Sequence, residues 1–261
     1  LPTKVAATLA PCVLFYGVLL FRLFPLSLSN MFDKPTLPLK PDLWYHLPRR
    51  ECMKMIRNVV FDMGMVLLRY EPLIACLRHA RSDREKALRL KAAIFDSPDW
   101  IKLDSGELTE KELAPLAQAR LEDEAERALV PEILADWHLD TLYPLAGMEQ
   151  VVAEMHDRGF RLYILSNAGL RFRTYEYKLP HPEYLSGILV SAEERMLKPD
   201  PQIFLRLCEK FSLKPEECLF IDDNAQNVHG AESTGMTGYC FADGDVPRLR
   251  AYLDTLQDPK A

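Results

Sequence analysis

The chain has 261 residues, of which 48% are hydrophobic and 27% are charged, and its formal net charge is -6. A chain of this composition can bury a sizeable core, and an acidic balance without a basic run argues against nucleic-acid binding. The six cysteines form no Cys-x-x-Cys pair and no disulfide framework, so we expect the reducing environment of the cytoplasm.

Residues 1–52 are an apolar, proline-rich extension that we expect to lie outside the fold. Residues 5–21 are mostly apolar, and their number is near the lower limit for a membrane-spanning helix. One interpretation is a signal anchor or an uncleaved signal peptide. The interpretation that we favour is a start at Met53 or Met55, in which case no membrane association is expected.

The first predicted strand ends at Asp62. The run Val59–Phe61 is apolar on both faces, as in the middle of a parallel sheet that is covered by helices. Ligands of such sheets bind beyond the carboxyl ends of the strands. Asp62 is therefore the first candidate for catalysis, and an aspartate that caps a loop is the structural alternative.

The long segment between residues 71 and 143 has a helical pattern. Residues 82–85 are expected to cap a helix that runs to Phe95, and residues 109–112 form a capping-box sequence that opens a second helix. A third helix is predicted at about residues 131–137, and most apolar residues here are expected to pack against one another. The candidates for side chains that face a substrate are Arg69, Tyr70, Trp100 and Glu107.

Two further motifs place polar side chains after apolar runs. Ser166 and Asn167 directly follow the predicted strand 161–165. Lys198 follows two apolar residues and precedes a proline, which favours an extended conformation at the lysine, and a helix is expected to begin near Pro201. A hydroxyl, a carboxamide and a cation are thereby added to the candidate site.

The last motif is the pair Asp222 and Asp223, which follows the apolar run 218–221. Together with the earlier motifs, a nucleophilic carboxylate, a hydroxyl, a cation and an acidic pair could converge on one phosphate and one metal ion. A final strand at Thr237–Phe241 and a helix at Val246–Leu256 are expected to close the sheet. The alternation of strands and helices predicts an α/β fold.

The motifs around Asp62, Ser166, Lys198 and the Asp222–Asp223 pair, in this order, resemble those of the haloacid dehalogenase (HAD) superfamily of hydrolases. The resemblance covers residues 56–241. The sequences Phe-Asp-Met-Gly-Met-Val, Leu-Ser-Asn, Leu-Lys-Pro and Ile-Asp-Asp-Asn are most similar to a subgroup with bacterial sugar-phosphate phosphatases that act on glucose 1-phosphate. From this resemblance alone, a hexose phosphate is the expected substrate.

The resemblance implies a Rossmann-like parallel sheet in a core of residues 53–70 and 144–261, with a helical cap of residues 71–143. The cap would close on the substrate and exclude water. The implied activity is that of a magnesium-dependent phosphatase that acts on a small phosphorylated metabolite. We expect a monomer or a homodimer.

The resemblance also implies a role for each motif residue, and Asp62 would attack phosphorus to form an aspartyl-phosphate. The residues implied to bind the phosphoryl group are Ser166, Asn167 and Lys198. The residues implied to hold Mg²⁺ are Asp62, Gly64 through its carbonyl, Asp222 and Asp223. Asp223 is the expected direct ligand, whereas Asp222 either supports the metal from behind or is hydrogen-bonded to Lys198.

The position two residues after Asp62 departs from the superfamily. Most of its phosphatases have a second aspartate there, which protonates the leaving oxygen and later activates water, whereas this chain has Gly64. Such acid–base catalysis contributes about 10²–10⁴-fold in rate. Another proton donor, a good leaving group or a weak site are the alternatives, although the resembling subgroup shares the glycine.

Two alternative functions follow from Gly64. Dehalogenases of the superfamily also lack the second aspartate, which favours a 2-haloacid dehalogenase as one alternative, and the other is a catalytically silent module that binds a phosphorylated metabolite. Arg171 and Arg173, on a helix-like stretch after Ser166, either recruit an anionic substrate or are solvated. The six histidines show no metal-ligand spacing, and we assign them no catalytic role.

Overall fold

The computed structural model describes residues 55–259, so the predicted extension 1–52 and a start at Met53 lie outside the described residues. The strands are β1 (Asn58–Phe61), β2 (Leu68–Tyr70), β3 (Leu142–Pro144), β4 (Arg161–Ser166), β5 (Leu185–Val190), β6 (Cys218–Asp222) and β7 (Thr237–Cys240). The helices are α1 (Leu73–His79), α2 (Arg84–Ile94), α3 (Pro98–Asp104), α4 (Glu110–Gln118), α5 (Glu124–Asp136), α6 (His138–Thr141), α7 (Met148–Asp157), α8 (Phe172–Tyr175), α9 (Ser191–Glu194), α10 (Pro201–Phe211), α11 (Ala225–Ser233) and α12 (Val246–Leu253).

Five strands form a parallel sheet in the order β5-β4-β1-β6-β7, which confirms the predicted α/β fold. Every residue of β1 is buried, because helices cover both faces of the sheet centre. In the register of the sheet, Phe61 lies opposite Ile164 on one side and Ile221 on the other. The residues that follow β1, β4 and β6 therefore emerge at one edge of the sheet.

The segment between β2 and β3 is helical, as its pattern predicts. Asp83 accepts a hydrogen bond from the Lys86 amide at the start of α2, and Thr109 and Glu112 form the predicted capping box of α4. Helices α1 and α3 were not predicted, and α5 begins seven residues before the predicted start at 131. Strands β2 and β3 pair as a two-stranded antiparallel ribbon at the base of this segment. Its division from the core at residues 71 and 143 stays a prediction.

The segment that carries Lys198 is a loop after α9, and the edge strand beside β4 is β5, which we did not predict. The predicted last strand is observed as β7, and Cys240 at its end is exposed. Helix α10 begins at Pro201 as predicted, because Asp200 accepts a hydrogen bond from the Gln202 amide and proline suits the first helical position. Within residues 55–259, no helix is both long enough and apolar enough to cross a membrane.

Candidate active site

A buried lysine lies between two carboxylates at the carboxyl edge of the sheet. Lys198 Nζ is 2.8 Å from Asp62 Oδ1 and 2.7 Å from Asp222 Oδ2. The side chains of Lys198 and Asp222 are 1% and 0% exposed, and that of Asp62 is 12% exposed. Burial lowers the pKa of Lys198, but the charges of Asp62 and Asp222 outweigh it and raise that pKa above its usual value. The ammonium group is therefore charged and fixed between the two residues.

Asp222 is held from several sides at once. Asn227 Nδ2 lies 3.1 Å from both of its carboxylate oxygens, and the Asn224 amide donates to Oδ1 at 2.8 Å. With Lys198 on Oδ2, both oxygens of Asp222 already accept hydrogen bonds. Our sequence interpretation missed Asn227, whose only sequence signal is its position on the helix that follows the acidic pair.

Three carboxylates come together at this edge. One oxygen each from Asp62, Asp222 and Asp223 lies within 4.8 Å of the other two. Burial raises the pKa of Asp62, with Lys198 opposing it, and burial followed by the charge of Asp222 raises the pKa of Asp223. Oxygen ligands and an excess of negative charge are what a hard dication such as Mg²⁺ prefers. The donors therefore fit the predicted metal, and Asp223 keeps more free ligand capacity than Asp222.

The loop after β4 is tied to the loop that carries Lys198. Asn167 Nδ2 donates to the Lys198 carbonyl at 3.0 Å, and the Lys198 amide donates to Asn167 Oδ1 at 2.9 Å. The carboxamide that we predicted to bind substrate thus fixes the lysine loop. Ser166 is buried at the end of β4 and lines the same cavity as Asp62 and Lys198.

A cavity of about 130 Å³ opens above these residues. Its far wall is mostly aromatic, and Trp137 packs edge-on against Trp100, Tyr70 and Tyr175 with ring centroids 5.3, 6.0 and 5.8 Å away. The predicted substrate-facing residues Tyr70 and Trp100 line the cavity. Arg69 and Glu107 are exposed and do not line it. The hydroxyl of Tyr70 is buried and has no hydrogen-bond partner among residues 55–259.

The far wall also carries a carboxyl group that we did not predict. Asp104 lies at the end of α3 and lines the cavity that Asp62 lines. Burial raises the pKa of Asp104 to about 8; the Gly169 backbone amide opposes this increase and the charge of Asp62 adds to it. Nothing in its sequence neighbourhood marks it, because the contact depends on how α3 packs on the core.

The two arginines after Ser166 have different surroundings. Arg171 lines the cavity, but its guanidinium pairs with Glu110 and donates to the Ala135 carbonyl. Arg173 does not line the cavity and pairs with Glu193 and Glu176. Neither side chain is simply solvated, and neither has a free guanidinium for an anion in this arrangement.

A model of the haloacid dehalogenase-like hydrolase family matches residues 56–235. The chain is 26% identical over 195 residues to a sesquiterpene phosphatase of Aspergillus oryzae, covering 72% of this chain and 90% of that protein. It is 24% identical over 200 residues to the fructose-1-phosphate phosphatase of Escherichia coli, covering 69% of this chain and 93% of that protein. The match to flavin mononucleotide hydrolase 1 of Arabidopsis thaliana is 32% identical but covers 39% of this chain and 41% of that protein.

Solved structures share the fold at low sequence identity. A predicted HAD-like family hydrolase from Porphyromonas gingivalis superposes with a TM-score of 0.57 and 24% identity, covering 76% of this chain and 98% of that chain. A HAD family enzyme from Bacteroides thetaiotaomicron, solved as a mutant with magnesium and inorganic phosphate, superposes with a TM-score of 0.55 and 19% identity, covering 71% and 93%.

Proposed function

The chain belongs to the haloacid dehalogenase-like hydrolase family, and from this premise we propose that it is a magnesium-dependent phosphatase that hydrolyses a small phosphomonoester through an aspartyl-phosphate on Asp62. Several of its relatives are phosphatases, which supports the reaction class. The observation that carries the proposal is the buried Lys198 between Asp62 and Asp222, with Asp223 beside them.

The roles follow from the chemistry of each group. Asp62 attacks phosphorus, and the resulting acyl phosphate divides one difficult displacement into two easier steps. Lys198 neutralises charge on the transferring group, and Ser166 binds a phosphoryl oxygen. The residues that would contact Mg²⁺ directly are Asp62, Gly64 through its carbonyl, and Asp223. Asp222 would support this site without being a direct ligand. When bound, the ion would neutralise charge on the phosphoryl oxygens in the transition state.

The substrate has two candidates. A sugar phosphate, predicted from the resemblance of the motifs, is supported by the likeness to the fructose-1-phosphate phosphatase. An ester of an apolar alcohol is supported by the aromatic wall of Trp100, Trp137 and Tyr175 and by the likeness to the sesquiterpene phosphatase. Most of this wall is ring surface from Trp100, Trp137 and Tyr175, so we favour the apolar ester.

The decisive measurement is phosphate release from p-nitrophenyl phosphate, benzyl phosphate, glucose 1-phosphate and fructose 1-phosphate, with Mg²⁺ and with EDTA. We expect release that needs Mg²⁺, that is lost in Asp62→Asn and that persists in Asp96→Asn, which removes an exposed carboxylate outside the cavity. Benzyl phosphate should have the higher kcat/KM. A higher kcat/KM for the sugar phosphates would instead favour a sugar phosphate as the substrate.

Two other results would contradict a phosphatase. Halide release from a 2-haloacid without Mg²⁺, together with no phosphate release, would favour the dehalogenase. Tight binding of one phosphorylated metabolite without turnover would favour the silent module. Calorimetric titration of Mg²⁺ tests the metal site apart from turnover, and Asp223→Asn should weaken its affinity at least about tenfold.

A further inference from the structure

Hydrolysis of an alkyl phosphate needs a proton donor that the strand-end residues do not supply. When the ester P–O bond breaks, its electron pair stays on the ester oxygen, and an alkoxide leaves poorly unless it is protonated. Lys198 is committed to Asp62 and Asp222. Position 64 has no side chain, and a Cβ built there would meet no atom within 4 Å. The donor must therefore come from another wall of the cavity.

The opposite wall has four groups with ionisable side chains. Arg171 cannot donate a proton, since a guanidinium stays charged and this one is paired with Glu110. Burial raises the pKa values of Tyr70 and Tyr175 well above their usual value. Each phenol is therefore a weaker acid than usual, and the carboxyl group of Asp104 is the strongest acid on this wall among the cavity residues that the structure describes.

We propose that Asp104, at the end of α3, is the general acid of the first step and the general base of the second. The assignment rests on the proposed phosphatase function and identifies the residue that acts in place of a side chain at position 64. This role explains both why position 64 can be glycine and why a carboxyl group lies on the opposite wall of the cavity.

The core holds the end of α3 in place. Ser191 Oγ donates to the Asp104 carbonyl at 2.5 Å, and the Ala168 amide donates to the same Ser191 Oγ at 2.9 Å. Ser191 thereby connects Asp104 to the loop that follows Ser166. Because this loop holds the backbone at Asp104, the base of its side chain keeps its position relative to the phosphate-binding residues, as acid–base catalysis requires.

Two glycines allow this close approach. A Cβ at Gly169 would overlap the Leu103 side chain, and a Cβ at Gly106 would overlap the Ala192 carbonyl oxygen. Gly106 also has φ +74°, which other residues rarely adopt. The chain can pass from α3 to α4 at this distance from the core only with glycine at 106.

The protonation state of Asp104 agrees with this role. The groups that act on it electrostatically are the Asp62 carboxylate and the Gly169 amide, and its own charge raises the pKa values of Tyr70 and Tyr175. Because burial raises its pKa to about 8, Asp104 carries a proton at neutral pH. A protonated carboxyl group is the form that the first step needs.

The two steps balance. In the first, an Asp62 oxygen bonds to phosphorus, the ester P–O bond breaks, and the leaving oxygen takes the Asp104 proton, so that the free alcohol and the Asp104 carboxylate result. In the second, Asp104 takes a proton from water, the water oxygen bonds to phosphorus, and the P–O bond to Asp62 breaks. Inorganic phosphate leaves, and Asp104 is protonated again.

Two substrates of similar size separate this role from a structural one. p-Nitrophenolate leaves without a proton, whereas benzyl alcohol needs one. We expect Asp104→Asn to lower kcat/KM for benzyl phosphate by about 10²–10⁴-fold. The loss for p-nitrophenyl phosphate should be at least about tenfold smaller, because kcat/KM reports only the steps up to breakage of the ester bond.

The matched control is Glu107→Gln, which removes an exposed carboxylate near α3 that accepts a hydrogen bond from Ser105. This variant should leave kcat/KM unchanged for both substrates. If Asp104→Asn lowers the two kcat/KM values equally, Asp104 is structural. If it lowers neither value, the carboxyl group is not needed. Either result overturns the assignment. Absence of phosphate release by the unmodified protein would instead overturn the phosphatase function itself and the assignment with it.

The pH profile gives a second readout. Because the acid must be protonated, kcat/KM for benzyl phosphate should fall as the pH rises through the pKa of Asp104, about 8 in the unliganded protein. The profile for p-nitrophenyl phosphate should lack this decrease, and so should that of Asp104→Asn with either substrate. A decrease that persists in Asp104→Asn would assign the titration to another group and contradict the proposal.

Discussion

The two ends of the cavity are built in different ways. At the phosphate end, Asp62, Ser166 and Asp222 lie at the ends of adjacent parallel strands, and their spacing follows from the register of the sheet. At the aromatic end, Trp100 and Asp104 lie on α3 and Trp137 follows α5, so their spacing depends on how these helices pack. If the proposed function is correct, the sheet determines the reaction type, and helix packing that can vary without disturbing the sheet determines substrate choice.

Of three variants that test how the two ends differ, the one that removes the cation at the phosphate end should have the largest effect. We expect Lys198→Met to lower kcat by about 10²–10³-fold for every ester, because Asp62 and the phosphoryl group lose the same compensating charge. Calorimetry should find Mg²⁺ binding no weaker than in the unmodified protein, since a competing cation is gone. Lys210→Met, which breaks a surface pair with Glu194, is the control and should change neither value. Weakened Mg²⁺ binding in Lys198→Met would contradict this interpretation.

An intermediate effect should appear where the two ends meet. Gly106→Ala combines a left-handed φ with overlap on the Ala192 carbonyl, whereas Gly244→Ala has φ +63° with no atom within 4 Å of its Cβ. Gly106→Ala should therefore lower the free energy of unfolding by about 1–3 kcal/mol more than Gly244→Ala. Urea denaturation measures the difference. Equal losses would indicate that α3 is not tightly packed on the core.

The smallest effect should be confined to the aromatic end. Trp100→Leu removes one ring from the wall, and an aromatic contact of this kind contributes about 0.5–1.5 kcal/mol. We expect kcat/KM for benzyl phosphate to fall about tenfold, while inhibition by inorganic phosphate stays the same. Tyr177→Leu, at an aromatic residue that is 66% exposed, is the control. A change in phosphate inhibition would show that the two ends are not independent.

Much of the phosphate end could be predicted from the sequence. Asp62 and Asp222 follow apolar strands, and the carboxyl ends of parallel strands meet at one edge, so their convergence could be inferred without coordinates. Lys198 was recognised through its motif, although its segment is a loop and not part of the sheet. Asn227 was missed because a helical asparagine has no local pattern that marks a hydrogen bond to a residue five positions earlier.

The aromatic end could be predicted as a helical region, and two of the four residues expected to face a substrate, Tyr70 and Trp100, line the cavity. Capping sequences gave the starts of α2 and α4, since a cap is a local interaction. Helix α3 has seven residues, too few for a clear amphipathic pattern. The position of Asp104 depends on contacts between α3, Ser191 and Gly169, which lie far from it in the sequence. Such tertiary contacts leave no local signal.

The pairing of β1 on both sides has a consequence for the entropy of catalysis. Residues 58–61 are hydrogen-bonded to β4 and β6 at once, and the Asp62 amide donates to the Ile221 carbonyl. Ordering a residue opposes folding by about 1–2 kcal/mol, and here that ordering is complete before any substrate arrives. Substrate binding therefore need not order the backbone at Asp62 or its neighbours, and the geometry of that backbone persists for as long as the sheet itself stays folded.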